Sequence, residues 1–168
     1  MTGAAGPETV AVRPARSEDA RAVNELLDQL GYPQQDPAAT AHRIRTWAED
    51  PAGAVYVAAA GAQLLGVIAV HVCPFFERPG SWGRIVALVV AERARGRGVG
   101  SQLVAAAESF ATGRGCVRME VTSNDRRRDA HAFYEGHGYA DQAGRSSRFL
   151  RDLPGAARPG SDRRRPLG

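Results

Sequence analysis

Apolar and polar residues alternate along "ETVAVRPA", residues 8–15, the period of a strand with one face in the core. From Ala20 the period changes. Ala20, Val23, Leu26, Leu27 and Leu30 recur three and four apart, which predicts a helix capped by Ser17 and stopped by Gly31 and Pro33. A second helix is predicted over Pro37–Asp50, closed by Pro51. "AVYVAAAGAQLLGVIAVHVC" predicts two strands joined by a short turn at Gly61 and Ala62, and "PFFERPGS" a loop. "WGRIVALVV" is nearly all apolar, as expected of a central strand buried on both faces.

Between residues 91 and 98 that apolar run gives way to alternating arginine and glycine. A helical stripe follows on Val99, Leu103, Ala106, Ala107 and Phe110, ended by Gly113 and Gly115. "CVRMEVTS" alternates as a strand. Asn124 or Asp125 then offers a cap for a helix with its stripe on Ala130, Phe133, Tyr134 and His137, closed by Gly136 and Gly138. "YADQ" and "SSRFLRDL" complete the pattern as a final strand pair. The order is βααβββ then αβαββ: an α/β domain with a mainly antiparallel sheet and one right-handed parallel crossover over residues 84–122.

Composition narrows this little, and charge only after it is located. The 168 residues suit one domain with a sizeable core. No apolar run approaches membrane-spanning length, and the start, "MTGAAGPETV", has neither the basic region nor the apolar stretch of a signal peptide. Cys73 and Cys116 lack metal-ligand spacing and are expected as buried, reduced thiols in a cytoplasmic protein. The pI near 9.7 suggests nucleic acid at first sight. All 22 basic residues are arginine, however, and residues 154–168 carry a net +3 while residues 1–153 carry +1. The excess sits in a Pro/Gly/Arg-rich tail expected to be disordered, so no nucleic-acid footprint is expected on the domain.

The turn "RGRGVG" carries the chemistry. A helix N-terminus presents unpaired N–H groups and the positive end of the helix dipole, and glycines let an anion approach the bare backbone. An ordinary flexible turn would look the same, so the turn alone leaves both open. A P-loop is absent, because no lysine precedes Ser101. A dinucleotide fingerprint lacks its third glycine, and the nearest acid, Glu120, lies mid-strand.

Arg95-Gly96-Arg97-Gly98-Val99-Gly100 matches the (Arg/Gln)-x-x-Gly-x-(Gly/Ala) signature of the GNAT superfamily of N-acetyltransferases. Leu88, Val90 and Arg95 have the spacing of that family's preceding strand. Ala130, Tyr134, Gly138 and Tyr139 are similar to its Ala-x-x-x-Tyr-x-x-x-Gly-(Phe/Tyr) segment. The resemblance covers residues 8–152. It implies a single GNAT domain over residues 8–153, with a mixed, mostly antiparallel twisted sheet flanked by about four helices, between a flexible 1–7 and the tail. It also implies acetyl-CoA as co-substrate and no metal. The N–H groups from Arg95 through Gly96, Arg97, Gly98, Val99 and Gly100 to Ser101 would hold the pyrophosphate, and the backbone of Leu88, Val89 and Val90 would pair with the pantetheine arm.

Acetyl transfer to an amine needs a neutral nucleophile, a polarised carbonyl and a proton for the departing thiolate. The family spacing makes Tyr134 the acid. Glu120, a carboxylate among Val117, Met119 and Val121, is the candidate base, with His71, Glu77 and His131 behind it. Where the family often has asparagine seven residues before the tyrosine, this chain has Arg127, so Arg127 is carried over only as a cofactor contact. A small-molecule amine is favoured over a protein as acceptor, Glu77 could attract a cationic one, and a homodimer is a family expectation. A non-catalytic acyl-CoA sensor of the same fold is the alternative. Because no stripe residue lies in 154–168, deleting that tail should move Tm by no more than a few degrees in a thermal melt; a larger drop would show that it packs on the domain.

Overall fold

The computed structural model describes residues 8–155. The expected tail and the first seven residues lie outside them, apart from the turn at Pro154–Gly155. Five strands and four α-helices follow in the order β1 (Ala11–Pro14), α1 (Ala20–Gln29), α2 (Pro37–Glu49), β2 (Gly53–Ala60), β3 (Gln63–Pro74), β4 (Ser81–Val90), α3 (Val99–Gly113), β5 (Cys116–Val121) and α4 (Arg128–Gly136). The sheet runs β1-β2-β3-β4-β5, antiparallel throughout except for the β4–β5 pair, which is parallel and joined through α3. Helix and strand types from the apolar periods hold for all nine elements.

Two-residue closure at Gly61 and Ala62, with Ala60 opposite Gln63 and Gly61 at φ 57°, makes β2–β3 a tight hairpin. Asp36 caps α2 by accepting from the Ala38 N–H at 2.9 Å, with Pro37 in the first turn, where no N–H is missed. Ser17 does not cap α1 as expected. A single 3-10 turn over Ser17–Asp19 leads into the helix, and the Asp19 carboxylate reaches back to the Arg16 N–H at 2.8 Å. The same carboxylate takes two bonds from Arg13 of β1, at 2.8 and 2.9 Å, which fixes the strand to the helix start.

The core has two layers on the sheet. Ala20, Val23 and Leu26 of α1 and Ile44 of α2 are buried against one face; Val99, Leu103, Val104, Ala107 and Ala111 of α3 are buried against the other. Glycine lets α3 come close: a Cβ on Gly66 would meet Leu103 Cδ1 at 2.8 Å, and one on Gly83 would meet Met119 Sδ at 2.7 Å and Ala111 at 3.0 Å. Val57, Ile68 and Val70 at the sheet centre are fully buried.

Three expectations are corrected. β4 is not buried on both faces: Gly83, Ile85 and Val89 are, but Val86 is 51% exposed, because α1 and α2 leave this stretch of the sheet bare. Cys73 is an exposed thiol at the end of β3 rather than a buried one; Cys116 is half-buried, and both are free. The final strand pair does not form. Residues 140–153 have no ladder partner, Phe149, Leu150 and Leu153 are exposed, and β5 is an edge strand with Val117 exposed. Alternation in "SSRFLRDL" is a strand signal only where a core receives the apolar side, and here none does.

Hydrogen bonding to Arg13, more than the Arg16 N–H, holds the Asp19 carboxyl below its ordinary value. Its side chain is only 10% exposed, so Asp19→Asn should cost about 2 kcal/mol near neutral pH in urea unfolding, the scale of charged hydrogen bonds. A lowered carboxyl stabilises the fold fully above its unfolded value, near pH 4, and loses that contribution as pH falls further. The two proteins should therefore converge in stability toward pH 2.

Candidate active site

The opening lies where two strands part. Parallel pairing of β4 with β5 runs from Ser81↔Cys116 to Ile85↔Val121 and stops. At that point β4 carries an irregularity. Val70 faces Ile85 and Ala69 faces Ala87, so Val86 is an extra residue, a bulge that bends the strand. Beyond it Leu88, Val89 and Val90 keep their partners Ile68, Val67 and Gly66 on β3, while their other flank has no strand beside it. Alternate backbone N–H and C=O groups there are free to pair with an extended amide chain. In the segment that leaves β5 at this opening, the Ser123 hydroxyl is buried without a hydrogen-bond partner among the described residues.

At the end of β4 the chain makes a 3-10 turn over Glu92–Ala94, and the Arg95 N–H donates to the Glu92 carbonyl at 3.3 Å. Of the predicted run of donors, Arg95 is thus already engaged. Gly96 and Gly98 adopt φ of 74° and 77°, left-handed backbone that only glycine takes without strain. No atom lies within 4 Å of where a Cβ on either would stand, so both border open space. Gly98 is the N-cap of α3, and no side chain caps that helix. The first turn closes when the Gln102 N–H donates to Gly98 O at 3.2 Å, which leaves the Val99, Gly100 and Ser101 N–H groups directed out of the helix end. Arg95 and Arg97 are exposed beside them. A left-handed glycine turn bordering open space at an uncapped helix N-terminus fits a pyrophosphate.

Gly100 has a different reason to be glycine. It is helical, and a Cβ there would meet Phe133 at 3.1 and 3.2 Å. Its smallness lets α4 pack on the first turn of α3. Tyr134, the next residue, lies edge-on to Phe133 at 5.3 Å and to Tyr139 at 5.7 Å. Burial raises the Tyr134 phenol above its ordinary value, with the Arg127 charge pulling the other way, so it is a protonated donor at neutral pH. Tyr139 donates to Glu108 of α3 at 2.9 Å and fixes the far end of the same pair of helices.

On the opposite face of the sheet, one row of polar residues crosses three strands. His71 of β3 is in register with Arg84 of β4, and Arg84 with Glu120 of β5. Arg84 reaches Glu120 at 3.5 Å and the Thr122 hydroxyl at 3.3 Å. His71 Nε2 lies 2.9 Å from Asp50, whose carboxyl is held low first by the Ala52 N–H and then by His71, and Trp47 stands edge-on to the imidazole at 5.8 Å. Glu120 therefore sits one residue before the opening, paired to Arg84 and half-exposed. Neither Arg84 nor Ser123 was singled out from sequence; only the register brings them to the opening. Asn124 does not cap α4 but the turn before it, accepting from the Arg126 N–H at 2.9 Å, and His131 bonds the Asn124 carbonyl. Glu77 lies in the exposed loop at residues 75–80.

With this geometry in view, the comparisons are decisive for the family. The model of the Acetyltransferase (GNAT) family matches residues 20–139. The chain belongs to that family. Over 140 residues it is 33% identical to the aminoalkylphosphonate N-acetyltransferase of Salmonella typhimurium, covering 83% of this chain and 90% of the relative. Among solved structures it resembles a transcriptional regulator from Bacillus halodurans C-125, with a TM-score of 0.76 and 24% identity over 86% of this chain and all of the other. It also resembles AAC(6')-Iy in complex with the bisubstrate analog CoA-S-monomethyl-acetylneamine, with a TM-score of 0.72 and 18% identity over 86% of this chain and 99% of that one. The protein is thus a GNAT N-acetyltransferase, an acyltransferase of a family that uses acetyl-CoA. No group of three or more His, Cys, Asp or Glu suited to a metal occurs among the described residues, and no described helix is long and apolar enough to cross a membrane.

The left-handed turn makes a stability prediction independent of ligand. Gly98→Ala has space for its Cβ but not the backbone angle, and should cost about 1 kcal/mol in urea unfolding. Gly98→Asn, which tolerates that angle better, should recover part of the loss; equal stability of all three would show that the turn relaxes freely.

Proposed function

We propose that this enzyme transfers the acetyl group of acetyl-CoA to the primary amine of a small molecule carrying an anionic group, with Tyr134 as general acid. The observation that carries this reading is the convergence of three features at one end of the sheet. They are the unpaired flank of β4, the uncapped N-terminus of α3, and a protonated phenol on a helix packed against that same turn. Acetyl-CoA, when bound, supplies an activated thioester.

The chain's own residues would do the rest. N–H groups from Gly96 to Ser101, with the charges of Arg95 and Arg97, hold the pyrophosphate. Backbone groups of Leu88, Val89 and Val90 pair with the pantetheine arm, and an N–H near Val90 polarises the thioester carbonyl. Arg127, close enough to bias Tyr134, is the proposed side-chain contact to the cofactor. The amine must shed a proton before it attacks. Glu120 is the proposed acceptor, directly or through water, because its carboxylate lies at the opening on the face left bare by α1 and α2. Tyr134 then gives its proton to the departing thiolate.

Arg84 and Arg127 favour an acceptor that brings negative charge with its amine, and the Salmonella relative is named for such compounds, aminoalkylphosphonates. A panel of aminoalkylphosphonates, plain alkylamines of the same length, polyamines and aminoglycosides, followed by thiol release from acetyl-CoA, tests the proposal. Aminoalkylphosphonates should outpace the plain alkylamines. Thiol release no faster than background with every amine would overturn it.

Tyr134→Phe keeps the ring and its packing on Phe133 and Tyr139, so stability should change by about 1 kcal/mol or less. With the best acceptor, kcat should fall roughly ten- to a thousandfold while acetyl-CoA binding by calorimetry stays nearly unchanged. A Phe variant turning over at the wild-type rate would leave proton delivery to water.

A further inference from the structure

His137, the C-cap of α4, has both ring nitrogens engaged. Nδ1 lies 2.7 Å from the Phe133 carbonyl and Nε2 2.9 Å from the Ser101 hydroxyl. A carbonyl only accepts, so Nδ1 carries a proton and, in the neutral ring, Nε2 is the acceptor. The Ser101 hydroxyl must then donate to His137. Ser101 is the third residue of α3, and its N–H is among those that leave the helix end unpaired. The Phe133 ring lies 4.3 Å from the imidazole, centroid to centroid, and its edge lies against Gly100.

This arrangement conflicts with an anion at the helix end. A hydroxyl whose proton points at His137 offers only lone pairs elsewhere, and lone pairs repel phosphate oxygen. If the hydroxyl turns to donate to phosphate, Nε2 loses its partner, and the conflict is resolved when the imidazole takes up a proton. Nε2–H then donates to Ser101 Oγ, Nδ1–H stays on Phe133 O, and the Ser101 hydroxyl donates to the anion. We propose that His137 is a positioning residue for the cofactor, aiming the Ser101 hydroxyl and taking up a proton as pyrophosphate binds. The inference rests on the proposed cofactor site.

The neighbourhood suits such a linkage. No carboxylate of the described residues lies within 4.0 Å of a His137 nitrogen. The charged or titratable groups on the surrounding elements are Glu92, Arg93, Arg95 and Arg97 before α3, Glu108 on α3, which accepts from Tyr139, and Arg128, Asp129, His131, Tyr134 and Glu135 on α4. Arg95 and Arg97 oppose another cation until an anion arrives, which ties proton uptake to binding.

Calorimetry with dephospho-CoA, which lacks the titrating 3′-phosphate, in two buffers of different ionisation enthalpy at pH 7 counts that proton. The wild-type protein should take up about half a proton or more on binding. His137→Gln, whose side-chain amide can donate to Ser101 Oγ without taking up a proton, should bind within a few fold but take up none. His137→Leu, which cannot, should lose about tenfold in affinity. Binding without proton uptake by the wild type, or equal uptake by the Gln variant, would overturn the role of His137 and leave the cofactor site standing. Failure of the wild type to bind either dephospho-CoA or acetyl-CoA would overturn the cofactor site and this inference with it.

Discussion

The active site depends on a strand that is hydrogen-bonded on one side only. β4 keeps β3 along its full length but loses β5 after Ile85, and the bulge at Val86 stands where they part. An extra residue cannot be matched on both neighbours at once. The antiparallel ladder, the longer of the two, absorbs it, and the parallel ladder ends. Every other feature of the site is placed relative to that parting. The glycine turn begins where β4 ends, and the segment carrying Ser123 leaves β5 beside it. The polar row from His71 through Arg84 to Glu120 leads up to the opening from the other face.

The opening would not hold its shape without the layer of α3 beneath it. Buried Val99, Leu103 and Ala107, with Gly66 and Gly83 bare of side chain on the sheet, set α3 close to the strands, so its N-terminus is a fixed point. Gly100 extends the same logic to α4, where Phe133 fills the space a methyl would have taken. Packing therefore fixes α4 against the first turn of α3.

Much of this could be read from the chain. The nine elements followed from apolar periods and glycine or proline stops, because each stripe has a core to receive it: Val23 and Leu26 of α1, Leu103 and Ala107 of α3. The turn and Tyr134 followed from a family spacing. What could not be read is what register decides. Val86 stands at a bulge that no local pattern announces, and Arg84 meets Glu120 only through a parallel pairing 36 residues apart. The strand signal of "SSRFLRDL" failed for the converse reason, since alternation describes a surface and not whether another surface will meet it. Gly100 was legible as a required glycine but not for its cause, which is an aromatic ring on another helix rather than an anion.

The absence of lysine has a consequence for an enzyme of this class. Its 22 cationic side chains are all guanidinium groups, which stay protonated at any pH where the enzyme works and are not nucleophilic toward a thioester. Arg95 and Arg97, exposed beside the glycine turn, and Arg84, paired to Glu120, therefore cannot compete for an acetyl group. A catalyst of amine acetylation built this way carries positive charge that its own chemistry cannot erase, and no side chain of the chain is an amine that it could acetylate in itself.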